Sequence, residues 1–325
     1  MTDGPLDHPG LLYRDSAGLL AAIVPFVRSA VEAGDPVLVA VPGHNLELLR
    51  PVLEGAAGHV DFADMTVTGR NPGRIIPGLL LRFVSAHPGK RVAIVGEPVW
   101  PGRTTVEYPA CAAHEALINT VFANREASIL CPYDTSLLAE SAIADAWRTH
   151  PVMIDAGVRV PSPAYGDPIA TAGDFNVPLP PPPADADVLS YERVPDMAAV
   201  RDFVRRHAAT VLPDDRVEEM VLAAHELAAN TVRHAAGPGR IAAWTEPGLF
   251  ACQIEDAGHI TDPLAGRVPP DPTLPSGRGL LLVNQICDLV RIHTGPTGTT
   301  IRTHLWAPGS GLSAPGSGGE SSGRG

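Results

Sequence analysis

HELAANTVRHA occupies residues 225–235. Wound as a helix, this stretch puts Glu226 and Asn230 four residues apart and about 40° from one another around the axis. The apolar positions Val217, Met220, Val221, Ala224, Leu227 and Ala228 make the stripe such a helix turns toward a core. The acid and the amide lie off that stripe. Together they can orient a hydroxyl or a water and offer an oxygen to Mg²⁺, a hard cation that keeps several of its waters. Taken alone, Glu and Asn at this spacing more often form a solvated polar face.

Three downstream segments change that weighing. In IEDAGHI (254–260) Asp256 ends an apolar strand and Gly258 follows two residues later. An aspartate there can accept a hydrogen bond from an exocyclic amine such as that of adenine, and the glycine lets backbone approach a ring. LPSGRGLLLVNQICD (274–288) places Gly277, Arg278 and Gly279 at the start of an apolar helix, where free amides favour anions. GTTIRTHLW (298–306) offers the hydroxyl of Thr299 or Thr300 at a strand start. Singly these are an ordinary turn, a weak glycine pattern and good strand residues. Their order over about ninety residues, each on a fitting element, makes coincidence the weaker explanation.

The surrounding pattern predicts two helices, two strands, a loop, a helix and two strands. The first helix spans about Met197 to Val211, and the second follows a capping Pro-Asp-Asp turn at 213–215. GRIAAWTE (239–246) and GLFACQIED (248–256) read as a hairpin turning at Pro247-Gly248. LVRIHTG (289–295) and TGTTIRTHLW (297–306) read as a second, around Gly295 to Gly298. Strands on one side and helices on the other predict an α/β sandwich.

This arrangement resembles the Bergerat-type (GHKL, HATPase) ATP-binding fold. The ELAANTVRHA, DAG and GRGLLLV segments look most like anti-sigma-factor serine kinases. The resemblance implies bound ATP and Mg²⁺, with Glu226 as general base and Asn230 as the magnesium ligand. It makes Asp256 and Gly258 adenine contacts, and Gly277, Arg278 and Gly279 lid and phosphate contacts beside Thr299. The sequence departs from the family in two places. Ile260 stands where the second glycine of the family's DxGxG pattern falls, and the lid, ITDPLAGRVPPDPTLPSG (260–277), is short and proline-rich.

Upstream, the buried-strand runs VLVAV (37–41), VAIVG (92–96) and ASILC (127–131) alternate with helical stretches ending at Gly34, His87 and Asn124. Gly34 and Asn124 fall at expected helix C-caps. A mainly parallel α/β domain follows. LLYRDSAGLLAAIVPFV, GRNPGRIIPGLL, GEPVWPGRTTVEYPACAAHEALIN and ILCPYD resemble a MEDS-type sensory module, implying a small-molecule signal. Glu97, Trp100, Arg103, Glu107, His114, Glu115 and Asp134 are candidates to line its pocket at the strand ends. His8, Tyr13 and His114 are not arranged as metal ligands, so no metal is assigned there. The expected organisation is a sensory domain at 8–160, a proline-rich extended linker at 161–188, the GHKL domain at 189–306 and a disordered Gly/Ser-rich tail at 307–325.

Bulk properties exclude several classes. Lys90 is the only lysine and precedes a strand, so a P-loop is absent, as are the lysine strand and loops of eukaryotic-type kinases. A net charge of −12 argues against direct nucleic-acid binding. The dispersed cysteines 111, 131, 252 and 287 read as buried free thiols. No run of eighteen apolar residues and no signal peptide is visible, so a cytoplasmic protein without membrane insertion is expected.

The function this implies is a serine/threonine kinase acting on a STAS-type anti-sigma antagonist under sensory control, with a sigma factor as a further partner. Relatives of this type often form homodimers. One alternative is a module that binds its partner in a nucleotide-dependent way without phosphotransfer, as Ile260 and the unusual lid suggest. The other is a sensor histidine kinase, which requires an exposed acceptor histidine ahead of the ATP domain. No histidine lies between Pro151 and Arg206, and His207 and His225 sit within the ATP domain itself.

Overall fold

A computed structural model describes residues 5–235, 237–270 and 277–309. The chain begins with β1 (Leu6–Asp7), β2 (Pro9–Tyr13), α1 (Ser16–Ala33), β3 (Val37–Val41), α2 (Gly43–Val52), β4 (Val60–Asp64) and α3 (Met65–Thr68). A helical stretch then opens as α4 (Pro72–Arg74), widens to a π-helix over Ile75–Leu80 and closes as α5 (Leu81–Ala86). After these come β5 (Val92–Gly96), α6 (Tyr108–Phe122), β6 (Ala127–Asp134), α7 (Glu140–Thr149), β7 (Val152–Asp155) and β8 (Val158–Pro161). The strands form one sheet in the order β4-β3-β5-β6-β2-β7-β8, with β1 also paired to β6. All pairings are parallel except the β7–β8 hairpin.

Every residue of β3 and β5 is buried, as expected of strands covered on both faces. Helix α1 covers one face with Leu19, Ile23, Val27 and Ala30. By length and composition this helix could cross a membrane. Its most apolar stripe instead packs on the sheet, while Arg28 and Glu32 face outward. The asparagine expected as a C-cap, Asn124, is not one: α6 ends at Phe122, and Arg125 N–H donates to the Phe122 carbonyl at 2.9 Å. The helical stretch expected to end at His87 is interrupted because Pro77 has no N–H to give to the carbonyl four residues back.

The proline-rich segment is not extended throughout. It contains α8 (Pro168–Asp174), capped by Asp167 and packed on α6, because Pro168 at the first helical position is preset for a helix. Next come β9 (Asp187–Tyr191), α9 (Met197–Ala208), α10 (Asp214–His234), β10 (Gly239–Glu246), β11 (Leu249–Asp256), α11 (Gly279–Ile286), β12 (Leu289–Gly295) and β13 (Gly298–Trp306). The second sheet is antiparallel throughout, ordered β12-β13-β11-β10-β9. Its core joins the three helices to one face through residues such as Phe203, Met220, Leu227, Phe250 and Val283.

All six stripe residues of α10 are buried in this core. The Pro-Asp-Asp turn makes no side-chain cap; Asp214 and Asp215 instead occupy the first turn, where the helix dipole favours negative charge. Most of the tail, residues 310–325, lies outside the described residues, as do 271–276 of the lid.

Candidate functional site

A groove of about 1060 Å³ opens between α10, the end of β11, the loop after it and the start of α11. Glu226, Asn230, Asp256, Gly258, Gly277, Arg278, Gly279 and Thr299 all line it. Eight residues chosen from four separate segments thus meet around one space.

Glu226 and Asn230 project from α10 toward the first turn of α11. A Cβ added at Gly279 would stand 2.7 Å from Glu226 Oε2 and 3.6 Å from Asn230 Nδ2. Any side chain at Gly279 would therefore displace the carboxylate or fill the space an anion needs at the helix N-terminus.

Asp256 sits at the other end. Its Oδ2 accepts from Thr231 Oγ1 at 2.6 Å, and Thr231 in turn accepts from the Tyr191 hydroxyl at 3.0 Å. Its Oδ1 accepts from Gly258 N–H at 2.8 Å. Thr299, directly opposite Asp256 in the β11–β13 pairing, donates its hydroxyl to the Gly258 carbonyl at 2.9 Å. Thr294 joins this floor at 2.8 Å from the Thr299 hydroxyl and accepts from Ile260 N–H at 2.9 Å. Of the two threonines considered from sequence, Thr299 is therefore the one on the groove side.

Tyr191, Thr231 and Thr294 are members of this network that sequence reasoning missed. Thr231 had a readable signal, since it follows Asn230 within the quoted helix. Tyr191 and Thr294 had none, because strand pairing brings them in from 40 residues before Thr231 and five before Thr299.

The sensory candidates are spread over separate parts of the domain. Trp100 and Arg103 line a cavity of about 290 Å³, with the guanidinium 3.5 Å from the indole centroid. Glu107 is buried and accepts from Thr104 N–H at 2.8 Å. Asp134 accepts from Ser136 N–H at 2.8 Å, closing its own turn. His114 and Glu115 are buried in α6.

Glu97 is fully buried at the end of β5, accepting from Tyr13 OH at 3.0 Å and Asn45 Nδ2 at 2.8 Å. Burial pushes its carboxyl up to about 8, against 4.5 in an unfolded chain. Between those values the folded protein holds a proton the unfolded chain has released. Stability contributed at Glu97 is thus complete below about pH 4.5 and is lost as pH rises to 8, by several kcal/mol in order of magnitude. Glu97→Gln is expected to flatten the fall in melting temperature between pH 5 and 8. Parallel curves for variant and wild type would contradict that.

The domains touch through buried polar contacts. Asn71, fully buried before α4, donates to the Asn284 carbonyl at 2.9 Å and accepts from Val290 N–H at 3.3 Å. Arg74 donates to the Cys287 carbonyl at 2.8 Å. Asn284 also donates to the Gly266 carbonyl at 2.9 Å, in the loop that walls the groove. Contacts from the first domain therefore end on the helix whose other end is Gly279.

A helix-backed antiparallel sheet, with an acid–amide pair facing a glycine-led helix and an aspartate at a strand end, defines a GHKL-type ATPase domain. In agreement, residues 192–305 match the histidine kinase-like ATPase domain family. Residues 7–151 match the MEDS family, the methanogen/methylotroph DcmR sensory domain. The chain thus carries a MEDS sensory domain followed by a histidine kinase-like ATPase domain. No curated protein matches it. Among solved structures, the RsbU and RsbW domains of Rv1364c from Mycobacterium tuberculosis are similar at 19% identity, with a TM-score of 0.27. That similarity spans 37% of this chain and 34% of the other.

Proposed function

We propose that this chain is a cytoplasmic ATP-dependent serine/threonine protein kinase that phosphorylates a STAS-type anti-sigma antagonist under control of its sensory domain. The observation that supports this reading is the facing of Glu226 and Asn230 against Gly279, an acid and an amide beside the glycine-led N-terminus of α11. Asp256, with Thr231 and Thr299 around it, supplies an acceptor for the adenine amine at the far end of the groove.

The acceptor serine or threonine hydroxyl attacks the γ-phosphorus, a new O–P bond forms, and the bond to the β–γ bridging oxygen breaks to release ADP. Glu226 takes the hydroxyl proton. Amides at the start of α11 face the negative charge of the transferred group. Asn230 would hold Mg²⁺, which supplies charge neutralisation on the phosphates when bound. The contacts from Asn71 and Arg74 to the end of α11 give the sensory domain a physical route to this site.

Glu226→Ala is expected to slow phosphate transfer to the antagonist by about 100-fold or more while ATP affinity changes only a few-fold. Radiolabelled ATP and purified antagonist read both quantities, and transfer at the wild-type rate by the variant would refute Glu226 as base.

A second reading, a nucleotide-dependent binding module, draws on Ile260, whose backbone is tied to Thr294 at the groove wall. It expects stable partner capture with no phosphoprotein in the same assay. The histidine-kinase alternative is not supported by the ring contacts of its candidate acceptors. Both nitrogens of His207 are engaged, by the Phe203 carbonyl at 2.7 Å and Asp187 at 2.9 Å, and His225 Nδ1 lies 3.4 Å from Arg201.

A further inference from the structure

In the sensory domain, four residues far apart in sequence converge on one point. His8 lies between β1 and β2, Glu115 on α6, Cys131 on β6 and His150 at the end of α7. Each is at most 1% exposed, and one ligand-type atom from each lies within 4.8 Å of all the others. The spacing of these residues along the chain shows no ligand motif, so sequence alone assigns no metal there.

The outer hydrogen bonds determine which imidazole nitrogen faces inward. Asn119 Nδ2 donates to the Thr149 carbonyl at 2.8 Å and lies near the Ala116 carbonyl at 3.2 Å, so its Oδ1 is the atom turned to His8. That oxygen can only accept, and His8 Nδ1, 3.0 Å away, must carry the hydrogen. His150 Nδ1 likewise donates to the Ala146 carbonyl at 2.9 Å. In the neutral rings, both Nε2 lone pairs therefore point at the Glu115 carboxylate. This outer-sphere pattern is the one that orients metal-binding imidazoles.

Inside, donors are lacking. Neither oxygen of Glu115 makes a hydrogen bond, nor does His150 Nε2, although all three atoms are buried. The Cys131 thiol stands among these acceptors, its Sγ 3.4 Å from His8 Nε2. His8 Nε2 and His150 Nε2 stand 3.5 and 3.3 Å from Glu115 Oε2. A tetrahedral zinc with bonds of about 2.0–2.3 Å has ligand–ligand edges of about 3.3–3.8 Å. The three separations of 3.3, 3.4 and 3.5 Å fall on those edges, and the remaining ones lie within 4.8 Å.

We propose that His8, Glu115, Cys131 and His150 form a closed tetrahedral site for a divalent transition metal of the zinc class. Two neutral imidazoles, a carboxylate and a thiolate sum to −2, so a divalent cation leaves a neutral centre in a buried place, and binding releases the Cys131 thiol proton to solvent. Four protein ligands leave no open position, which makes the site structural or sensory rather than hydrolytic. Nitrogen and sulfur donors select against Mg²⁺ and Ca²⁺.

The full-length protein, loaded with Zn²⁺ and desalted, is expected to retain about one equivalent by atomic emission. Cys131→Ser and the double variant His8→Gln/His150→Gln are expected to retain roughly a tenth of that or less. Gly295→Ala, in the other domain, is expected to match wild type. Should a variant fold poorly, Co²⁺ added to the wild-type protein gives an independent reading: a near-ultraviolet thiolate charge-transfer band with tetrahedral visible absorption. Negligible zinc retention by the wild type, or Co²⁺ bound without the thiolate band, would overturn the proposal and leave an imidazolium–carboxylate pair as the occupant of the cluster.

Discussion

Replacing Asp256 by alanine is expected to weaken Mg-ATP binding about 100-fold, the equivalent of roughly 2–3 kcal/mol for a hydrogen bond to a charged group. The carboxylate ends β11 with its two oxygens held by Thr231 and Gly258, so it is preset before any ligand arrives. Little ordering cost would remain to be met on binding, and in the proposed role the carboxylate's acceptor strength would serve the adenine amine. Alanine removes the acceptor and leaves the Thr231 hydroxyl without its 2.6 Å partner. The effect should fall on adenine nucleotides specifically: inorganic triphosphate, which lacks the amine, should bind wild type and variant alike. Competition against a fluorescent ATP analogue measures both, and equal ATP affinity in the two proteins would remove Asp256 from the adenine site.

Gly298→Ala is expected to destabilise the protein by roughly 3 kcal/mol or more, lowering its melting temperature on the order of 10 °C. Gly298 has φ +134°, a conformation other residues rarely adopt. A Cβ there would lie 2.1 Å from the Asp256 carbonyl oxygen. The obstacle is backbone, so relief requires opening the β11–β13 ladder where Asp256 pairs with Thr299. Stability and nucleotide binding should therefore fail together. Gly295→Ala in the same hairpin is the control, because nothing lies within 4 Å of its Cβ position and the expected change is within about 1 kcal/mol. Similar melting curves for Gly298→Ala and wild type would show that the hairpin yields more easily than its geometry implies.

Local pattern carried the parts of this molecule in which one element does the work. The α10 stripe and the off-stripe pair Glu226 and Asn230 follow from helical period alone, and both hairpins follow from their turn residues. Failures arose where the decisive contact is distant or where one residue breaks a period. Pro77 turns an expected α-helix into a π-helical segment, and Pro168 starts a helix inside a stretch whose composition suggests extended chain. Asp256 was legible as an acceptor, yet the Thr231 and Tyr191 that orient it depend on the packing of β9 and α10 against β11. The same holds more strongly for His8, Glu115, Cys131 and His150. Parallel-strand topology assembles those four from 142 residues of chain, counting the difference between positions 150 and 8, with no spacing to betray them. The sensory candidates grouped from sequence were conversely dispersed: at the C-terminal edge of the sheet Tyr13 of β2 and Asn45 of α2 both donate to the buried Glu97 that follows β5.

The contacts made by Asn71 and Arg74 suggest how the two halves act as one. They grip the carbonyls at the far end of α11, an eight-residue helix, and Asn284 of that helix grips the Gly266 loop. These contacts all fall on the C-terminal half of α11, and a short rigid helix carries a shift there to its N-terminal glycines. Occupancy of the sensory domain would then bias the position of Gly279 against Glu226.

The most direct test of nucleotide binding in this groove is isothermal calorimetry of ATP against the full-length protein, with and without Mg²⁺, beside Asp256→Ala. The expected result is one site per chain, tighter with Mg²⁺ and nearly lost in the variant. No binding heat with wild type across the millimolar range, or the same affinity in both proteins, would contradict it.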